Sequence, residues 1–168
     1  MATLDVRALG GFMVSQHPEE VSVRRQHELG IEFKDQKGRT WKYARAGEAL
    51  TGQGYVGYLD DAGDVLLIDT TTDGENPQLV GVIGANEDVA DNEFFWMCME
   101  KPASDTEMGI RVAANAAADI DLQTTAVAGE LDDAATAVLK GARLLTAQGG
   151  SAGVNVTSEW KNMRVSGL

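Results

Sequence analysis

Gly30-Ile31-Glu32-Phe33-Lys34-Asp35-Gln36-Lys37-Gly38-Arg39-Thr40-Trp41-Lys42-Tyr43-Ala44-Arg45 is the stretch that decides the fold class. Ile31 and Phe33, and then Trp41, Tyr43 and Arg45, alternate with polar residues on either side of Asp35-Gln36-Lys37-Gly38. A period of two belongs to a strand, whose successive side chains point to opposite faces. The connecting Asp and Gly predict a β-hairpin with Gly38 at a turn position that needs positive φ.

The same rhythm extends downstream. Residues 54–59 and 64–69 read as two strands joined by Asp60-Asp61-Ala62-Gly63. Asp73-Gly74 and Asn76-Pro77 then predict a turn before a strand over 79–84. Phe94-Phe95-Trp96-Met97-Cys98-Met99-Glu100 has no alternation, which predicts a central strand buried on both faces. Residues 110–114, 120–125, 154–157 and 160–165 also suit strands, with Val and Thr in keeping with that state. Residues 131–147 admit two readings. Leu131, Ala135, Val138, Ala142 and Leu145 fit a helical face with Asp132 or Asp133 as its cap, whereas Gly141 and the surrounding rhythm favour strands.

Turn chemistry recurring about every eight to twelve residues is typical of β-sandwiches and barrels. The chain of 168 residues suffices for one domain of ordinary size, and its 19 Gly thin out the bulky apolar side chains. The expected fold is therefore all-β: a single sandwich or barrel-like domain over 30–168, preceded by an extended or short-helical arm over 1–29. His17-Pro18-Glu19-Glu20 predicts a helix start, with Pro at its first position and acids in its first turn, running to about Leu29 and stopped by Gly30. Its faces are poorly segregated, since Val21, Arg24, Arg25 and Glu28 share one side. Such a segment, with Gly10-Gly11-Phe12-Met13-Val14 before it, reads as an arm ordered by a partner.

Charge divides the chain in the same place. Residues 1–45 carry eight basic side chains against six acids, and residues 46–168 carry six against twenty, within a net charge of −12. The acidic body repels nucleic acid and anionic membranes, while the mildly basic lead can be drawn to an acidic surface. No stretch approaches the ~18 consecutive apolar residues of a membrane span, and the first residues lack a secretory pattern. Without such a route the acceptor pattern Asn155-Val156-Thr157 reads as a chance match.

Chemical motifs are few. Gly52-Gln53-Gly54-Tyr55-Val56-Gly57 is a literal G-x-G-x-x-G, but a dinucleotide fingerprint needs a strand before it and a helix after it, and here a strand follows. Nor do the residues beyond Leu59 supply the valine and V-A-I-K strand of the kinase version. His17 and His27 stand ten apart with no zinc-ligand spacing. Asp60, Asp61 and Asp64 crowd one turn and Asp119 and Asp121 share a strand face, which is the pattern of surface carboxylates in turns. Cys98, the one cysteine, lies in the apolar run and reads as a buried, reduced thiol without a partner base. Trp41 and Tyr43 share a face, suited to core packing or, if exposed, to stacking on a base or sugar; Trp160 reads as core. No catalytic constellation, metal site or cofactor site emerges, so the chain reads as a non-enzyme.

The run from Gly30 to Leu50, with its G-R-x-W-x-Y hairpin and the following A-G-E-A-L step, resembles the opening of small virion proteins of tailed bacteriophages. Weaker echoes follow at residues 96–103, at Val112 and at residues 128–134. The resemblance implies a capsid decoration, or cement, protein: an all-β domain with an N-terminal arm, made in the host cytoplasm and attached outside the head. Its expected partners are the major capsid protein and further copies of itself, as a trimer or dimer. Arg24 and Arg25, for pairing with carboxylates, and Phe12 and Val14, for burial, are the candidate capsid contacts. The rival reading is a carbohydrate- or receptor-binding β module of a tail or fibre, served by Trp41 and Tyr43 if exposed. A small enzyme built on residues 60–64 has no base or nucleophile to accompany the carboxylates.

Overall fold

The computed structural model describes residues 8–9, 12–13, 17–72, 79–133, 138–150 and 153–165, and among them every regular element is a β-strand. Val14 and the turn expected at residues 73–77 lie outside the described residues. Two short strands, β1 (Ala8–Leu9) and β2 (Phe12–Met13), pair antiparallel. The hairpin follows as expected. β3 (Glu32–Lys34) and β4 (Thr40–Ala46) pair antiparallel, and Gly38 sits in the turn at φ +84°.

β4 then organises a ring of five strands. It pairs in parallel with β6 (Asp64–Leu67) through Arg45 and Ala46, and antiparallel with β8 (Phe94–Glu100) along most of its length. β5 (Val56–Leu59) lies between β6 and β7 (Val80–Ile83), and β7 pairs with β8. The ring thus closes from β4 through β6, β5, β7 and β8 back to β4, with β3 added on the edge of β4. Closure removes the exposed strand edges that would template association.

The second half repeats that plan. β9 (Gly109–Val112) pairs in parallel with β11 (Leu131–Asp132) and antiparallel with β13 (Val154–Val165). β10 (Asp121–Thr124) lies between β11 and β12 (Val138–Leu144), and β12 pairs with β13, which completes a closed barrel. In each half the first strand pairs in parallel with the third and antiparallel with the fifth, and the second lies between the third and fourth. One five-strand arrangement is built twice.

In the region open to two readings the described residues form strands and no helix. β11 and β12 occupy it, and Gly141 stands at φ +88° in an irregularity between Lys140 and Ala142. A Cβ on Gly141 would approach the Lys161 carbonyl oxygen to 2.4 Å, so only glycine allows the strands to approach there. The two strands expected over 154–157 and 160–165 are one, β13, bent at the positive-φ residue Asn162.

Burial explains the missing alternation in β8. Trp96 and Cys98 point into a core shared by both halves, with Trp41, Tyr43, Val82, Ile110, Leu139 and Trp160. Phe95, Met97 and Met99 face a second core with Ala44, Ala46, Leu50, Val65 and Ile83, which belongs to the first ring alone. β8 is the central strand, flanked by β4 and β7, that its composition predicted. The rings meet along β13, which lies against β7 and β8. There Lys101 and Trp160 exchange backbone hydrogen bonds of 2.9 and 3.1 Å, and the Trp160 indole donates to the Cys98 carbonyl at 3.1 Å.

The helix expected from Pro18 to Leu29 does not form. Residues 18–19 make a turn, Ser22 forms a single β-bridge to Phe94, and the chain continues in bends to Gly30, at φ +83°. Contacts with the body replace the intrahelical hydrogen bonds that a short, poorly amphipathic helix would have had to sustain alone.

Candidate docking surface

The segment from His17 to Ile31 forms a strap across the first ring. At its start the Asn86 backbone N–H donates to the Glu19 carbonyl at 3.1 Å and the Asn86 amide to the Glu19 carboxylate at 3.0 Å. Ser22 and Phe94 exchange two backbone bonds of 2.9 and 2.8 Å. Further on, the Gln26 N–H donates to the Tyr43 hydroxyl at 2.9 Å. The His27 ring lies 5.1 Å from Tyr43, edge to face, and 5.3 Å from Trp96. Burial holds the His27 imidazole below its ordinary pKa, because the charged form would lose water among these rings. Burial likewise pushes the Tyr43 phenol up, against the lowering effect of the Gln26 hydrogen bond.

Between the anchors at Ser22 and Gln26 the side chains turn outward. Val23 is 75% exposed, the most exposed large apolar residue described, and Arg24 and Arg25 are exposed beside it. The backbone there is fixed locally: the Ser22 hydroxyl donates to the Arg24 carbonyl at 2.8 Å and accepts from the Arg24 N–H at 3.2 Å. Arg25 donates from Nε to the His27 carbonyl at 2.9 Å, and the residue is exposed. Two guanidinium groups and an isopropyl group therefore stand on a backbone already ordered by its own body. A partner meeting them incurs little ordering cost.

Of the expected contacts, the structure places Arg24 and Arg25 side by side on this strap. Phe12 belongs to β2, paired with Leu9, and Val14 lies outside the described residues. Sequence reasoning missed Val23. In the helical reading Val21 shared a side with the arginines, whereas in the strap Val21 is half-buried and Val23 takes the exposed place. Residues 17–31 are held against the body by backbone hydrogen bonds, the Tyr43 hydroxyl and the ring contacts of His27.

The remaining candidates serve the fold. Trp41, Tyr43 and Trp160 are buried at 1%, 0% and 2% exposure, which removes the stacking platform they would form if exposed. The Asp60 carboxylate accepts from the Ala62 and Asp64 N–H groups at 2.9 Å each, an Asx turn. Asp64 holds Arg45 in a bidentate pair at 2.7 and 2.6 Å. Asp119 lies 3.6 Å from Arg143. The Cys98 thiol is buried and donates to the Glu100 carbonyl at 3.3 Å, and burial pushes its pKa up. A Cβ on Gly52 would meet the Glu87 carbonyl oxygen at 2.9 Å, and β5 follows Gly54, so these glycines permit close chain approach without leading into a helix N-terminus. Among the described residues no three His, Cys, Asp or Glu side chains gather as metal ligands. Comparison with protein-family models, with curated proteins and with solved structures finds no match to this chain.

Proposed function

We propose that this chain is a non-enzymatic virion protein that decorates the outside of a tailed-phage head and stabilises the lattice of its major capsid protein. The observation that carries the reading is the strap, a preordered edge presenting Val23 between fixed backbone anchors, with Arg24 and Arg25 beside it. Burying a valine side chain contributes about 1.5 kcal/mol or more, and arginine adds directional pairing with carboxylates. The resemblance of residues 30–50 to small phage virion proteins supports the same reading. The tail- or fibre-module alternative loses its main support, because Trp41 and Tyr43 are interior residues.

Binding only to the assembled lattice stabilises it by linkage, at about 2.7 kcal/mol per site when free protein is a hundredfold above its dissociation constant. Repeated over many sites, that contribution resists outward pressure. Self-association would add effective concentration if several copies engage neighbouring capsomers together. The test is co-sedimentation with undecorated, expanded heads of the parent phage, comparing the native chain with a Val23→Ser, Arg24→Glu, Arg25→Glu variant. Every change lies at an exposed position, so the variant should remain folded and lose at least tenfold in affinity. Undiminished binding by a folded variant would rule out the strap as the contact.

A further inference from the structure

Of the six basic side chains that residues 46–168 carry against twenty acids, four stand on one strand pair. Lys140 and Arg143 belong to β12, Lys161 and Arg164 to β13, and the two strands contain a single acid, Glu159. All four are exposed, whereas Lys101 is buried and Arg111 is half-buried against Glu130. Arg143 is engaged by Glu159 and by Asp119, 3.6 Å away. Lys140, Lys161 and Arg164 make no ion pair among the described residues. Lys140 moreover lies directly opposite Arg164 across the two strands. Like charges so placed destabilise a strand pair.

The backbone is shaped to hold these cations together. Two residues, Lys161 and Asn162, stand between the buried Trp160 and the buried Met163, where strict alternation allows one. Asn162, at φ +49°, takes up the extra residue against Gly141, at φ +88°, where the register of β12 and β13 shifts. The shift resets the alternation. Lys161 and Arg164, three apart, therefore both face solvent, although a regular strand would send them to opposite faces. Bulges re-aim side chains in this way, and they concentrate at functional sites.

We infer that the Lys140–Arg164 pair, with Lys161 beside it, is a docking site for a short acidic segment of a different protein. Directly opposed residues hold their Cβ atoms about 5 Å apart, so the two cationic heads can share one carboxylate or grip two neighbouring ones. Lys161 lies within about 10 Å of Arg164 along the strand and can take another. The size of the patch decides the occupant. Next to Lys161 the surface is acidic again, with Glu159 and Asp121, and the chain as a whole carries −12. Charges are screened over only about 8 Å at physiological ionic strength. A nucleic-acid duplex or an anionic vesicle in contact with the pair also lies against those acidic surroundings, which repel it, whereas a short segment meets the three cations alone. Binding also relieves the repulsion between Lys140 and Arg164. The site belongs to the second ring and does not rest on the strap or on capsid binding.

Amide NMR of the isotope-labelled full chain, titrated with an acetylated hexaglutamate peptide, tests the site. At low ionic strength the shifts should concentrate at residues 139–141 and 160–165, and the affinity should fall as salt screens the charges. Lys140→Gln with Arg164→Gln should weaken binding at least tenfold, and its melting temperature should equal or exceed that of the native chain because the repulsive pair is gone. A purely structural role for the pair predicts the reverse, a loss of stability. Lys140→Arg keeps the charge and should keep the affinity. No binding by the native chain, shifts spread over its lysines and arginines at large, undiminished affinity in the double variant or a lower melting temperature there would overturn the proposal. So would tighter binding of a short DNA duplex or of phosphatidylserine vesicles than of the peptide.

Discussion

Arg39 and Asp105 form the most deeply buried ion pair among the described residues. Their side chains are 5% and 2% exposed and meet at 2.6 Å, and Asp105 belongs to the connector that leads from the first ring to the second. Glu107 adds a second carboxylate to Arg39 at 3.3 Å, and Asp35 holds the Trp41 indole at 3.0 Å. Removing one member of a buried pair leaves an uncompensated charge, whereas replacing both with apolar groups is often close to neutral. Arg39→Met should therefore lower stability by about 3–5 kcal/mol in urea titrations, and adding Asp105→Leu should recover most of that loss. A single variant as stable as the native chain would mean that Asp105 finds water or another donor. None of this pairing is legible in the sequence, where Arg39 reads as a polar hairpin position and Asp105 as one acid among many. The burial of Cys98 is legible, because its apolar neighbours determine it.

The strap shows what tertiary context does to a local signal. Pro18 followed by two acids reads as a helix start, but Ser22 pairs with Phe94 and His27 settles against Tyr43 and Trp96, and those contacts decide the conformation. Because the folded pKa of His27 is lowered, the unfolded chain takes up the proton first as pH falls through the ordinary imidazole range near 6.5. Its contribution to stability is complete above that range and declines below it. The drop in melting temperature between about pH 7.5 and about pH 5.5 should accordingly be smaller in His27→Phe than in the native chain; an identical drop would exclude His27 as its source. β3 to β6 were readable because period two, Gly38 and the 60–63 turn are local signals, and β8 because its unbroken apolar run marks a strand buried on both faces. β13 read as two strands because the polar pair Ser158-Glu159 interrupts the run of β-formers, although Ser158 is buried and its hydroxyl accepts from the Ile110 N–H. Val23 escaped because exposure depends on what the rest of the chain leaves uncovered.

The whole molecule is a tandem of two closed five-strand rings with the same connectivity. That duplication lies in strand pairing between residues far apart in the chain, which a reading of local patterns does not reach, so the sequence predicted one β domain without its internal repeat. The shared core joins the rings through Trp41, Trp96, Cys98, Ile110, Leu139 and Trp160. Unfolding should therefore be one cooperative transition, with coincident urea curves by tryptophan emission and by circular dichroism. Two separated transitions would show that the rings are energetically independent. The division of charge follows the same scale: an acidic body carries a mildly basic lead, and the strap is where that lead first meets the fold. The most direct test of the docking account is cryo-electron microscopy of undecorated, expanded phage heads mixed with the purified chain. The account predicts regular density at fixed lattice positions, with the edge formed by Val23, Arg24 and Arg25 turned toward the shell. Bare heads at low and moderate salt, or bound copies with that edge facing solvent, would contradict it.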